Sequence, residues 1–419
     1  MVSKDVLKEI LLEHRTKAKR MDFVRREKLL KIMEFLKLKQ SIIITGIRRC
    51  GKSTFLYEVM DEFFDNPYYI NFEDERLADF ALKDFNVLYE TCVSLFGESR
   101  TFFADEIQNI AGWEMWVRRM GDDGFKFFIT GSNARLLSKE LATKLTGRHL
   151  QIELFPFSFR EFLEFQKFDF KKEDIYITER RAILVKYLSE YIEKGGFPEY
   201  LKDNKIEILQ EYFLDIVQRD ICERYKVKKS RQLKQLAKYL VTNSGNLTTH
   251  NQLGKLTQLS VDSAINYVSY LEDAYLLIRV PYFSFSLRKQ FANPFKVYAI
   301  DTGLRNAISF QFSKDIGRAY ETIVAVELKR QGKEIYYWKN VRHEEVDFVI
   351  NEREVSQIIQ VCYDVNDINV KKRELTALIK AAKELKCKNL LVITSEYEGE
   401  EKFDGKTVKF IPLLKWLLN

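Results

Sequence analysis

The stretch Gly46-Ile47-Arg48-Arg49-Cys50-Gly51-Lys52-Ser53 constrains this chain more than any other. It satisfies the pattern GxxxxGK[ST]. It follows SIIITG (41–46), a β-branched run suited to a buried strand, and it opens a helix-like stretch at 51–64. Gly46 and Gly51 permit a tight turn and close backbone approach. The N–H groups of 49–53 can then point inward at a helix N-terminus, where the peptide dipoles favour an anion. Such a loop cradles the phosphates of ATP. The expected binding set is Gly46, Arg49, Cys50, Gly51, Lys52, Ser53 and Thr54, with Lys52 reaching the β- and γ-phosphates, Ser53 ligating Mg2+ and Thr54 supporting the loop.

The surrounding pattern suits that motif. Strand candidates follow at 68–73 (YYINFE), 101–106 (TFFADE) and 125–131 (FKFFITG), separated by helix-like stretches at 76–96 and 111–119. Short strands alternating with helices predict an α/β unit with a mostly parallel sheet covered on both faces. TFFADE ends in Asp105-Glu106, where Asp105 is placed to serve the Mg2+ shell and Glu106 to polarise an attacking water. An acid pair at that point predicts hydrolysis rather than binding alone. After FKFFITG, one of Thr130, Ser132 and Asn133 is placed to sense the γ-phosphate, although polar residues there also cap helices. The charge on the transferred phosphoryl group needs a further cation. Arg148, in LTGRHL, is the candidate, as an arginine finger supplied to a neighbour or as a sensor in cis. Arg48 and Arg49, inside the loop, are expected to meet a neighbouring subunit, an acidic partner or the nucleotide's surroundings.

Beyond Phe155-Pro156-Phe157 the chain changes character. Residues 158–222 read as amphipathic helix, broken at Gly195-Gly196-Phe197-Pro198. Helices at 231–243, 249–256 and 260–272, followed by YLLIRV and YFSFSL, give the layout of a winged helix. Its core stripe is expected to be Leu253, Leu256, Leu259, Val261, Ile265, Val268 and Leu271, with Ser260 as N-cap of the reading helix. VKKSRQLKQLAKYL carries Lys226 just ahead of it in the run, then Lys228, Lys229, Arg231, Lys234 and Lys238, and no acid. Such a stripe can neutralise the phosphates of duplex or branched DNA. The reading helix, VDSAINYVSYLED, offers no Arg or Lys for guanine edges, which argues against strict sequence reading and leaves protein docking as the other use of the module. The last stretch, 290–419, is mixed α/β again. The expected division is 1–157 (N-terminal helices and nucleotide core), 158–225 (a helical lid-like segment), 226–286 (winged helix) and 287–419.

Composition closes other routes. Five scattered Cys with no CxxC pair, and only four His, argue against a disulfide framework or a structural zinc site. No apolar run is long enough to cross a bilayer and the first residues lack a signal-peptide pattern, so the chain reads as soluble and cytoplasmic. A net charge of +7 is mild and names no partner; the excess of 12 Lys/Arg over 6 Asp/Glu in residues 1–40 reads as a solvated helical face.

GIRRCGKST, the strand ending in ADEIQ, TGSNARLLS, LTGRHLQIELFPFSFREFL, GGFPEY and DIVQRDI, in this order, resemble an AAA-like family of archaeal and bacterial P-loop ATPases with a carboxy-terminal domain of uncharacterised function. The resemblance implies an ATPase core of the additional-strand kind, a winged helix, and a last domain similar to restriction-endonuclease-like folds. Nuclease chemistry on such a fold needs an acid on one strand and a Glu-x-Lys pair on the next, holding Mg2+. Glu321, Glu327 and Asp347 supply part of that frame. Gln360 and Cys362 stand where the Glu and Lys are wanted, so the last domain reads as a degenerate one; His343 is a weaker candidate base.

Mg2+-dependent ATP hydrolysis coupled to domain movement, on DNA or a protein client and in a homo-oligomer or alone, is therefore the leading expectation. A nucleotide-binding scaffold with little turnover and a DNA-processing nuclease-ATPase are the competing ones.

Overall fold

A computed structural model describes residues 2–18, 23–131, 147, 149–309 and 316–419. The chain divides into two compact units, Met1–Phe155 and Pro156–Asn419.

The first unit is built on five strands: β1 (Ser41–Gly46), β2 (Tyr68–Asn71), β3 (Thr101–Asp105), β4 (Lys126–Gly131) and β5 (His149–Leu154). Their order is β2-β3-β4-β1-β5 and every pairing is parallel. β1 is buried along its whole length, as expected of a central parallel strand covered on both faces. β4 stands between β1 and β3, so the loop after β1 and the acids ending β3 face each other across one intervening strand. Among the described residues its α-helices are α1 (Lys4–Ala18), α2 (Leu29–Leu36), α3 (Lys52–Phe63), α4 (Phe85–Phe96) and α5 (Trp113–Asp122). One face of the sheet packs on α1, α4 and α5 through an aromatic core in which Phe85 stacks on Trp116 with ring centroids 4.2 Å apart. The helix expected over 76–96 is shorter, because the Asp84 side chain accepts from Ala81 N–H at 3.0 Å and caps a separate turn before Phe85.

The second unit begins with helices Phe159–Phe165, Thr178–Lys194, Pro198–Asp203 and Ile206–Asp215, a π-helical stretch Ile216–Glu223, and the helix Ser230–Thr242. Next come the helices His250–Thr257 and Val261–Asp273, capped by Thr249 and Ser260. A three-stranded sheet accompanies them, with β6 (Leu247–Thr248), β7 (Leu277–Val280) and β8 (Phe295–Ala299) in the order β6-β8-β7.

The structure departs from the sequence pattern at two points. The partner of β7 is β8 and not YFSFSL, so residue 286 lies inside the connection between paired strands. Pro281 and Phe283 instead exchange backbone hydrogen bonds with Tyr337. In addition, Leu256, Val261 and Ile265 are exposed, at 55%, 44% and 43%. The helix Val261–Asp273 buries the stripe Ala264, Tyr267, Val268 and Leu271; Ile265 lies about 100° round from Ala264, off that stripe, and Val261 is exposed as the first residue of the helix.

The last part is a six-stranded sheet, ordered β13-β14-β12-β11-β10-β9, with β9 (Ile335–Lys339), β10 (Glu345–Glu352), β11 (Glu354–Val361), β12 (Leu390–Thr394), β13 (Gly399–Phe403) and β14 (Lys406–Pro412). β9, β10 and β11 form an antiparallel meander. The helix Ile368–Glu384 crosses over to β12, which is parallel to β11. No helix among the described residues is long and apolar enough to cross a membrane.

The GGFP break is a joint within this unit. Gly196 N–H donates to the buried Asp301 carboxylate at 2.7 Å, and Phe157 N–H donates to Gly196 C=O at 2.7 Å. A Cβ on Gly196 would lie 2.3 Å from the Phe157 carbonyl oxygen.

Candidate nucleotide site

The loop between β1 and α3 turns through left-handed backbone at Arg49 (φ 68°) and Gly51 (φ 96°). At Gly46 (φ 148°) a Cβ would meet the Leu154 carbonyl oxygen at 2.0 Å, which is why glycine is needed where β1 passes β5. Cys50 is buried, and its thiol donates to the Leu154 carbonyl at 3.4 Å. Lys52 is also buried; its ammonium donates to the carbonyls of Gly46 at 3.3 Å and Ile47 at 3.2 Å, and lies 4.0 Å from Glu106 Oε1. Thr54 is half-buried on the first turn of α3.

Asp105 closes β3 with no exposed surface. Its carboxylate accepts from the hydroxyls of Thr130 and Tyr69, the latter at 3.2 Å. Burial and the neighbouring Glu106 push its pKa up to about 6, against the pull of Thr130, Ser53 and Lys52. Glu106 sits in left-handed backbone (φ 49°), donates its N–H to Thr130 Oγ1 at 3.0 Å, and accepts from the Gln108 amide. The structure thus brings together Lys52, Ser53, Asp105, Glu106 and Thr130. Thr130 faces the acid pair: its hydroxyl is used by Asp105 and Glu106. Ser132, Asn133 and Arg148 lie outside the described residues. Arg48 meets an acid, Glu73, at 3.5 Å.

Three residues of this site carry no local sequence signal. Tyr57 of α3 donates to the Tyr69 hydroxyl at 2.8 Å, and Tyr69 passes the bond on to Asp105, yet YYINF reads only as strand. Knowing that β2 neighbours β3 would have found Tyr69. Arg26 is the third. It belongs to the basic excess read as a solvated face, but it is 4% exposed and its guanidinium donates to the Cys50 carbonyl at 2.9 Å and the Phe155 carbonyl at 2.6 Å. It ties the phosphate loop to the end of β5.

In the last part of the chain, Glu327 pairs with Arg330 at 2.9 Å and His343 lies exposed in a turn. Glu321, Asp347 and Gln360 cluster around Lys296, described below.

A parallel sheet with an extra strand between the phosphate-loop strand and the acidic strand, and a lysine-bearing loop entering a helix, define an α/β P-loop NTPase core of the AAA type. The family descriptions matched are "AAA domain" at residues 38–163, and two domains of unknown function, DUF8612 at 185–315 and DUF4143 at 316–416. The chain is 39% identical over 440 residues to Uncharacterized protein MJ1544 of Methanocaldococcus jannaschii, covering 100% of this chain and 97% of that one. An uncharacterized protein of Haemophilus influenzae is 29% identical over 395 residues, covering 90% and 94%. Among solved structures, the Thermotoga maritima RuvB Holliday junction branch migration motor aligns at 17% identity over 66% of this chain and 94% of that chain, with a TM-score of 0.28. The chain belongs to the family of the Methanocaldococcus protein, with an AAA-superfamily P-loop ATPase fold at its core. The descriptions covering 185–416 name no winged helix and no endonuclease.

Proposed function

We propose that this chain hydrolyses ATP in a Mg2+-dependent manner and passes the resulting conformational change to the segments that follow the core. One observation carries the reading: Lys52 of the phosphate loop lies 4.0 Å from Glu106, and Ser53 of the same loop is among the groups that pull the Asp105 pKa down, so the phosphate loop and the acid pair belong to one site. The loop N–H groups of 49–53 and Lys52 hold the β- and γ-phosphates. Ser53 and Asp105 offer hard oxygen donors of the kind Mg2+ takes, and an ion held there would offset the charge of the phosphates. Glu106 orients and polarises the attacking water. Arg148 adds a cation to the transferred phosphoryl group, in cis or from a neighbour in a homo-oligomer.

The test is Glu106→Gln. ATP binding should persist while phosphate release falls by about two orders of magnitude or more, the range for losing a positioned general base. If the wild-type chain binds ATP and releases no phosphate, the chain is a nucleotide-controlled scaffold.

A second reading rests on the basic stripe. Lys226, Lys228, Lys229, Arg231 and Lys234 are all exposed on and just before the helix Ser230–Thr242. We propose that this face of a winged-helix module (226–286) contacts DNA phosphates, the lid-like segment 158–225 linking it to the core. DNA should then stimulate turnover, with an effect that fades as salt rises. A rate indifferent to DNA assigns the module to a protein client. The frame of 287–419 is read as endonuclease-like and degenerate. The place of action is the cytoplasm.

A further inference from the structure

Lys296, on β8, is 2% exposed, an unusual burial for an ammonium. Its Nζ lies 2.7 Å from Glu345 Oε1, 2.9 Å from Asp347 Oδ1 and 3.8 Å from Glu321 Oε2. The three carboxylates come from β10 and from the helix Ile316–Arg330, whereas Lys296 comes from the three-stranded sheet. Two of these acids, Glu321 and Asp347, belong to the frame that an endonuclease-like reading of this domain would use to hold a divalent metal.

The donors do not fit a metal. Asp347 uses Oδ1 on Lys296 and accepts the Val361 N–H on Oδ2 at 3.0 Å. Gln360 turns its carbonyl to Asp347 N–H at 3.2 Å and its amide to Glu374 at 2.6 Å, and Glu374 also pairs with Arg373. Glu321 accepts from the Tyr298 hydroxyl at 3.1 Å, and Lys339 takes the second oxygen of Glu345 at 3.1 Å. The charges already balance: Lys296 and Lys339 face Glu345 and Asp347. Burial and Asp347 push Glu321 up to about 8, so it stays protonated at neutral pH. Burial likewise pushes the Cys362 thiol up to about 11, leaving it neutral and unable to stand in for a lysine. A divalent ion among these acids would sit against the Lys296 ammonium with nothing to offset it.

We propose that Lys296 is the resident cation of this acid cluster, so that the carboxy-terminal domain is a metal-free element pinned to the three-stranded sheet, and a divalent-cation site opens only when Lys296 is removed. The backbone bonds from Pro281 and Phe283 to Tyr337 run alongside and tie the same two sheets. The inference is independent of the ATPase reading.

Mn2+ titration of the full-length protein without nucleotide, followed by electron paramagnetic resonance, tests it. Each protein is compared with its own Asp347→Asn counterpart, which subtracts any ion held at the phosphate loop. Wild type and Asp347→Asn should give the same isotherm. Lys296→Met should gain one Mn2+ site that Asp347→Asn removes, and Mn2+ should raise its melting temperature without raising that of the wild type. If Lys296→Met does not fold, Lys296→Gln, which keeps a hydrogen-bonding end without charge, replaces it. An Asp347-dependent Mn2+ site in the wild type overturns the proposal, as does a folded Lys296 variant that gains none.

Discussion

Thr130 tests the site more sharply than the phosphate-loop residues do, because two roles for it predict different data. Its hydroxyl donates to Asp105 and accepts Glu106 N–H at 3.0 Å, so it fixes both acids at once. Thr130→Val keeps the shape and removes both bonds. A hydrogen bond to a charged group contributes about 1.5–3 kcal/mol, and leaving the Glu106 N–H unpaired costs about 1–3 kcal/mol. If about 1.5–3 kcal/mol of that appears as lost positioning of Glu106, kcat falls about 10- to 150-fold.

The pH profile separates positioning from phosphate sensing. Asp105 must be ionised to hold a cation, so kcat/KM falls as pH drops through the free enzyme's value of about 6. Thr130 is one of the groups that lowers this value, so Thr130→Val moves the acid limb to higher pH and raises the Mg2+ concentration needed for half-maximal rate. Thr130→Ser restores the hydroxyl and should return both readings towards wild type. Steady-state phosphate release between pH 5 and 8, at several Mg2+ concentrations, measures all of this. A γ-phosphate sensor would lose kcat with the acid limb and the Mg2+ midpoint unmoved. That result, or an unchanged kcat, would refute the positioning argument.

Two further predictions concern stability. Gly196→Ala places a methyl against the Phe157 carbonyl and disturbs the Asp301 bond, so it should destabilise the second unit by about 3 kcal/mol, visible as an earlier transition in calorimetry; an unchanged transition would mean that the joint is slack. Glu321 holds a proton in the native state up to about pH 8 that the unfolded chain releases near 4.5, so its favourable contribution is complete below 4.5 and is lost as pH rises to 8. Glu321→Gln should therefore lose less stability than the wild type between pH 5 and 8 in urea unfolding, and parallel slopes would contradict the burial argument.

What could be read in advance follows the range of the interactions involved. The phosphate loop and the Asp105-Glu106 pair are contiguous motifs whose chemistry fixes their neighbours, and the structure brings them together at one end of the sheet. Ser260 caps its helix as its position suggests, because capping is local. Periodicity fails where two stripes share residues. Val261 and Ile265 lie on a regular apolar spacing with Val268, yet the core takes the stripe through Ala264 and Tyr267. The partner of β7 was hidden for a different reason. YFSFSL has the composition of a strand, but strand pairing is chosen by long-range fit, and FKVYA wins with five buried positions. Arg26 and Lys296 were unreadable because nothing local distinguishes a buried cation from a solvated one.

The two buried lysines show what makes one acid–lysine site open to a ligand and the other closed. Lys52 is held by two backbone carbonyls at 3.2 and 3.3 Å, and its nearest carboxylate oxygen is at 4.0 Å. Neutral acceptors at such distances make weak bonds, and a phosphate oxygen with full charge at the same loop competes with them successfully. Lys296 is held at 2.7 and 2.9 Å by carboxylates that are themselves anchored by Lys339 and Val361 N–H. Moving it would leave the buried Asp347 carboxylate without its cation, a cost of several kcal/mol that no weakly held ligand offsets. The same pair of residue types therefore gives a site that exchanges partners in the core and a fixed joint in the last domain, and the difference lies in whether the lysine's partners carry charge.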